Sequence, residues 1–180
     1  DGMPLQVDRR QMSLFGAAWS AGSLKSLGES GVQSLTYYET VGWRGVMERE
    51  SGPPRPELFH SIPGGVFPLY HVLADFSEFR GGRIVPTESD KPLAVAGLTL
   101  RKAQAVRMML ANLTAQEQPV RVAGLRGPIE IRLLDERSGR KAMIDPEAYR
   151  REAVASSKAV DAGVDLTLLP YATVCIDAPA

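Results

Sequence analysis

The residues of this 180-residue chain best suited to chemistry are an acidic and a basic side chain that lie close together in sequence, Glu39 and Arg44. Residues 32–39 are rich in β-branched and aromatic side chains, which predicts a buried β-strand that ends at Glu39. In a β/α barrel, ionisable side chains at the carboxyl ends of strands face the mouth where reactions take place. We therefore predict that Glu39 belongs to a carbohydrate-processing active site.

A carboxylate in this position has two chemical uses. It can take a proton from water as the water attacks a carbonyl carbon, or it can act as the nucleophile of a retaining glycosidase, opposite a second carboxylate about 5 Å away. The structural alternative is that Glu39 caps a helix or pairs with Arg44. Arg44 in turn is predicted to steady an oxyanion or bind a substrate carboxylate, with a salt bridge to Glu39 or Glu48 as its alternative.

Three further side chains complete the predicted site. Trp43 offers a flat apolar face to a sugar ring, although a tryptophan beside glycine can equally cover the core. Strand alternation places Tyr37, and not Tyr38, on the same side as Glu39. His60, in a proline-rich loop, is predicted to carry protons or bind substrate. These three residues are therefore predicted to line a substrate pocket with Arg44.

Other reactive residues are interpreted as structural. His71 and Trp19 lie in helical, apolar surroundings, which favours packing roles for both, and Cys175 is read as a small buried hydrophobe in a strand. With two histidines far apart and one cysteine, the sequence predicts neither a metal site nor a cofactor.

Composition narrows the range of partners. Twenty-one basic residues balance 21 acidic ones, so no net field attracts nucleic acid or an anionic membrane. The apolar runs are far shorter than the roughly 20 residues that a membrane span requires. A nucleic-acid or membrane partner is therefore not expected, and a cytoplasmic location is.

The element pattern changes along the chain and predicts an α+β fold. Residues 1–81 contain a helix near residues 14–27, the strand 32–39, a loop at 41–65 and a helix near 66–79, which together suggest an αβα fragment of a TIM-like barrel. Residues 82–180 carry short strand patterns typical of an antiparallel β-sandwich, broken by one helical turn. These strands are predicted at 83–87, 93–101, 105–113, 120–124, 129–135, 164–169 and 171–176.

Four segments resemble the D-apionate lactonase family: residues 11–19 (QMSLFGAAW), 34–47 (SLTYYETVGWRGVM), 67–75 (FPLYHVLAD) and 168–172 (LLPYA). The resemblance implies a glycosidase-like barrel followed by a β-sandwich, in an enzyme that opens a sugar-acid lactone by hydrolysis. It therefore implies a small carbohydrate or sugar lactone as the partner. It also implies that this chain holds only the end of the barrel, since a complete one takes about 250 residues.

The sequence thus leaves three functions open. The first is the C-terminal part of a lactone hydrolase, and the second is a retaining glycoside hydrolase of the barrel-plus-sandwich type. The third is a carbohydrate-binding or scaffolding module without catalysis. In each case we expect the isolated 180 residues to be inactive and to self-associate through apolar surface of the barrel fragment.

Overall fold

Most of the chain is organised around one antiparallel sheet, as seen in a computed structural model that describes residues 2–152, 154–160 and 162–180. The helices are α1 (Leu14–Glu29), α2 (Leu69–Glu78), α3 (Gly139–Ile144) and α4 (Pro146–Glu152). The strands are β1 (Arg83–Val85), β2 (Val95–Lys102), β3 (Ala105–Asn112), β4 (Gln118–Ala123), β5 (Pro128–Leu134), β6 (Val154–Lys158), β7 (Gly163–Leu168) and β8 (Thr173–Pro179). The mixed α+β class predicted from the sequence is confirmed.

The strands form two antiparallel layers. Six of them make a sheet in the order β1-β2-β3-β8-β5-β6, and β4 pairs with β7 in a separate two-stranded ribbon. All seven strands predicted after residue 82 are present, with ends that differ by a few residues. Strand β6 was not predicted, because its small polar residues carry no apolar alternation. The predicted helical turn is extended into the pair α3 and α4.

The sheet buries both of its faces, and side-chain alternation divides them. On β3, Met109 and Ala111 belong to a core shared with the helices, whereas Met108 and Leu110 pack in a second core towards the ribbon. Successive residues of a strand point to opposite faces, so this division follows from the sequence once the strand is paired. The molecule therefore has helices, sheet and ribbon in three layers.

Helix α1 lies close to the sheet because its buried face is made of small residues. Ala17, Ala18 and Ala21 are buried in the helix-side core. Gly16 allows an equally close contact with the preceding turn, since a Cβ there would lie 2.4 Å from the carbonyl oxygen of Gln11. Small side chains on this face let the helix axis approach the strands. The predicted helix is thus confirmed.

The predicted strand at residues 32–39 was wrong. These residues are irregular, and no described strand lies beside them to pair with their backbone groups. The segment is instead attached by side chains: the hydroxyl of Tyr37 lies 2.9 Å from that of Ser23, and the hydroxyl of Tyr38 lies 2.8 Å from that of Ser20. A segment rich in residues that favour strands forms a β-strand only where a neighbouring strand can pair with it.

The predicted boundary between residues 81 and 82 falls in the turn between α2 and β1. One apolar core nevertheless joins the two sides, since Leu24 and Leu69 pack in the same cluster as Leu98 and Met109. The division into domains stays a prediction. Among the described helices, none has the length and apolar character needed to cross a bilayer.

Candidate functional site

The predicted catalytic pair lies on a tightly folded loop, residues 39–48, which we call the site loop. The backbone N–H of Glu39 donates to the carbonyl of Arg44 (3.0 Å), and the N–H of Gly42 donates to that of Met47 (2.8 Å). Gly42 has φ +89°, which favours glycine. A Cβ on Gly45 would lie 2.7 Å from the backbone of Thr40. The two glycines therefore permit the turn that brings residues 39 and 44 together.

Two buried polar side chains hold the site loop, Gln11 from outside it and Glu48 at its end. Gln11 donates from Nε2 to the carbonyl of Gly45 at 2.6 Å. Glu48 is 1% exposed, and its carboxylate accepts hydrogen bonds from the Ser61 hydroxyl (2.6 Å) and the backbone N–H of Arg49 (2.8 Å). Sequence reasoning gave neither residue this role. The sequence suggested Glu48 only as a partner for Arg44, because residue spacing does not reveal a contact with Ser61, 13 residues further along the chain.

Glu39 and Arg44 form an exposed ion pair. Nη2 of Arg44 lies 2.5 Å from Oε1 of Glu39, and the two side chains are 46% and 55% exposed. This is the structural alternative that the sequence left open for both residues. Since water surrounds the pair, its attraction is weak, and neither group is held in the partly buried environment that catalysis by Glu39 requires.

The other predicted site residues lie in different environments. Both Tyr37 and Tyr38 face α1, so the strand-based argument that only one of them shares a side with Glu39 does not hold. Burial raises the pKa of Tyr38, which keeps its hydroxyl protonated as a partner for Ser20. Trp43 is half-buried against the helix-side core, while His60 is exposed. The described hydrogen bonds and ion pairs bring together only Glu39 and Arg44 of the predicted set.

Trp19 was predicted to lie in the core, and this was wrong. Its side chain is on the outer side of α1 and is 53% exposed. With Leu27 of the same helix and Leu93 before β2, it lines a groove of about 850 Å³. The small residues of α1 occupy its core face, and the large ring lies outside that face, in a groove that residues 95–97 of β2 also line. Helical spacing alone did not distinguish the two faces, because both carry apolar residues.

A second charged group lies between the helices and the sheet, with Asp75 buried at its centre. Oδ1 of Asp75 is 2.8 Å from Nη1 of Arg150 and is also bound by Arg132. Arg107 forms two hydrogen bonds with Asp177, at 2.7 and 2.8 Å. We call the whole group the Asp75 cluster; its members are Asp75 and Glu78 on α2, Arg107 on β3, Arg132 on β5, Arg150 on α4 and Asp177 on β8.

In this cluster, burial and the neighbouring arginines shift the pKa values of the carboxyl groups in opposite directions. Burial raises the pKa of Asp75, and the three surrounding arginines only partly counteract it. For Glu78, burial also acts upwards, but hydrogen bonds from Arg107 and Arg150 prevail and lower the pKa. Its members come from five separate elements, so no sequence motif announced the cluster.

No metal site emerges within residues 2–152, 154–160 and 162–180, where no three His, Cys, Asp or Glu side chains are grouped to hold an ion. Cys175 is buried, as predicted, and burial raises the pKa of its thiol. The thiol therefore stays protonated and unreactive at neutral pH.

Comparison with known families identifies the class of protein. Residues 3–81 match the family model for the TIM barrel domain of D-apionate lactonase. Residues 92–176 match the model for the C-terminal immunoglobulin-like domain of the same enzyme. The chain belongs to the D-apionate lactonase family, as its sequence motifs had suggested. No curated protein matches it.

Solved structures with the same fold are glycoside hydrolases. A GH30 endoxylanase from Clostridium papyrosolvens C71 is similar with a TM-score of 0.65 at 10% identity, covering 93% of this chain and 39% of that one. CelM2, a bifunctional glucanase-xylanase from a metagenome library, is similar with a TM-score of 0.61 at 14% sequence identity. The match covers 94% of this chain and 29% of CelM2. A GH39 β-xylosidase from Caulobacter crescentus is similar with a TM-score of 0.58 at 15% sequence identity. The match covers 100% of this chain and 43% of the xylosidase. The chain thus has the fold of a glycosidase-like barrel end with its β-sandwich, and spans less than half of each structure.

Proposed function

We propose that the full-length protein is a hydrolase that opens a sugar-acid lactone, with Glu39 as general acid or base. Arg44 would stabilise the oxyanion or bind a substrate carboxylate, and Tyr37, Trp43 and His60 would contribute to the pocket. The observation that supports this most is the site loop, on which a carboxylate and a guanidinium 2.5 Å apart are held by buried anchors within the barrel-domain match. A general base of this kind contributes roughly 10²- to 10⁴-fold to a rate.

In the 180 residues alone, the proposed site is open to water. The side chain of Glu39 is 55% exposed, and a barrel wall that would exclude solvent is absent from the described elements. Electrostatic catalysis depends on a preorganised, water-excluded site. We therefore propose that turnover requires the remainder of a barrel and that the isolated chain is inactive.

The proposal is tested by assaying the full-length protein on a panel of aldonolactones and aryl glycosides. Glu39→Gln should lower kcat for a lactone at least about 100-fold. Glu57→Gln is a matched control, because Glu57 is 55% exposed and pairs with a half-exposed arginine, Arg55, much as Glu39 does. Equal activity of the Glu39 and Glu57 variants would exclude a catalytic role for Glu39.

A second candidate function is retaining glycoside hydrolysis. It is favoured by the fold, which is shared with xylanases and a xylosidase. This function needs a second carboxylate about 5 Å from that of Glu39, supplied by another barrel strand. Release of sugar from the aryl glycosides, with no lactone opening, would select it. The third possibility, a non-catalytic binding or scaffolding module, would leave both substrate classes untouched in the full-length protein.

The partner proposals extend to self-association. Val32, Leu35 and Val41 are large apolar residues that remain exposed along the irregular segment and the site loop. Exposed apolar strips of this kind promote association. We propose that the isolated chain pairs with a second copy through this strip. Sedimentation velocity should show a concentration-dependent dimer that Leu35→Glu weakens; a monomer at high concentration would contradict the proposal.

A further inference from the structure

The buried imidazole of His71 has one nitrogen paired and one unpaired. His71 is 2% exposed on α2, and its Nε2 lies 3.0 Å from the carbonyl oxygen of Ala142. A carbonyl oxygen can only accept, so Nε2 must carry the proton and Nδ1 must be an acceptor. No donor of the described residues reaches Nδ1. The ring therefore presents a lone pair to the protein interior.

Packing prevents the ring from turning this nitrogen towards solvent. Tyr149 packs edge-on against the imidazole with centroids 4.7 Å apart, and Tyr70 does so at 5.3 Å. Burial also lowers the pKa of His71 to about 4, so protonating Nδ1 is not a way to satisfy it at neutral pH. Nδ1 remains a neutral, buried acceptor that needs a donor.

A small cavity adjoins the ring. It measures about 10 Å³, close to the space that one water molecule requires, and His71 is part of its wall. Polar groups contribute to the same wall from both sides of the interface: Thr173 and Cys175 on β8, and Asp75 on α2 itself. Empty protein cavities have apolar walls, whereas buried waters occupy polar ones that offer two to four partners.

We propose that one ordered water molecule occupies this cavity and donates a hydrogen bond to Nδ1 of His71. Its other hydrogen bonds are made with polar groups of the cavity wall on β8 and α2. Leaving a buried acceptor unpaired is more costly than immobilising one water that makes several hydrogen bonds. The water joins α2, from the barrel-domain match, to β8 of the immunoglobulin-like match. This inference does not depend on the proposed catalytic function.

A crystal structure of the 180-residue chain at a resolution that shows ordered water tests the proposal directly. We expect a density peak about 2.7–3.2 Å from Nδ1, with at least one further polar partner at a similar distance. A cavity without density would overturn the proposal. So would a rotated Cys175 side chain whose thiol donates directly to Nδ1.

A double-mutant cycle gives an independent test in solution. Ala21 lines the cavity from α1, so Ala21→Val adds two methyl groups at the cavity wall and reduces the space for a water molecule. His71→Phe keeps a flat ring but removes the acceptor. With a bound water, Ala21→Val should lower the urea midpoint further in the wild-type background than in the His71→Phe background. An equal shift in both backgrounds would overturn the proposal, because Ala21→Val would then displace no water bound to His71.

Discussion

The two carboxylate–guanidinium groups of this protein contrast in burial and in connectivity. Glu39 and Arg44 form a single pair on a surface loop, and each side chain is about half exposed. In the Asp75 cluster, the Asp75 side chain is 8% exposed and lies among three arginines from three elements. The same two kinds of charged group thus lie in two different environments, one exposed and one buried. The exposed pair is able to rearrange within solvent, whereas the buried part of the cluster cannot change without disturbing the helix–sheet interface.

The largest expected effect is on the buried side of this comparison. Asp75→Asn should lower the free energy of unfolding by about 3–5 kcal/mol, because it leaves Arg132 buried without its carboxylate and Arg150 with Glu78 alone. Urea unfolding at pH 7 measures this. Asp165→Asn is the matched control, since Asp165 pairs with Arg121 at 2.6 Å but is 74% exposed, and should cost less than about 1 kcal/mol. Equal losses of unfolding free energy in the two variants would show that burial does not make the ion pairs of Asp75 more important than an exposed pair.

A pH dependence is expected at His71, which adjoins the cluster. Its pKa is lowered from 6.5 to about 4 by burial, assisted by the charges of Arg150 and Arg132. The unfolded chain therefore takes up a proton on His71 as the pH falls below about 6.5, while the folded protein does not. This contribution to stability is complete above pH 6.5 and is lost as the pH falls towards 4, by about 3 kcal/mol at most.

The His71 effect is measured as the difference between the wild type and His71→Phe in urea unfolding at pH 7 and pH 4.5. Taking the difference removes the contributions of the other titratable groups around the ring, notably Asp75, whose raised pKa acts in the opposite direction. The variant should lose less stability on acidification than the wild type does. Parallel pH profiles would mean that His71 is not held neutral by burial.

An intermediate effect is expected at the anchor of the site loop. Glu48→Ala should destabilise the protein by about 1–3 kcal/mol, because the Ser61 hydroxyl and the Arg49 N–H lose their buried acceptor. Glu50→Ala, two residues further at an exposed position, should change stability little. Fluorescence of Trp43, measured in a Trp19→Phe background, should shift with the first variant only. A shift with neither would show that Glu48 does not hold the loop.

The smallest effect is expected at the exposed pair itself. Glu39→Gln should change the unfolding free energy by less than about 1 kcal/mol, as should the similarly exposed Glu57→Gln. Urea midpoints of the two variants and the wild type provide the measurement. A loss above about 2 kcal/mol for Glu39 alone would assign it a structural role and would make its kinetic phenotype uninformative.

Sequence reasoning was most successful where structure depends on local patterns. The alternation in Ile129, Ile131 and Leu133 predicted β5, and the spacing of Leu69, Val72 and Phe76 predicted α2. It was wrong at residues 32–39, where composition favoured a strand but the described structure offers no pairing partner. For the site, it identified Glu39 and Arg44 as a possible pair but missed their anchors Gln11 and Glu48, whose contacts come from distant parts of the chain.

By itself, the sequence determined the family and most of the helices and strands. It also showed that Glu39 and Arg44, which carry opposite charges, lie on one glycine-containing loop. Periodicity and motif residues act over short distances along the chain, so they can be read without coordinates. Only the tertiary structure decided that Trp19 is exposed, that both tyrosines contact α1, and that three arginines surround Asp75. Burial and pairing depend on which surfaces meet in space, and a linear pattern does not contain that information.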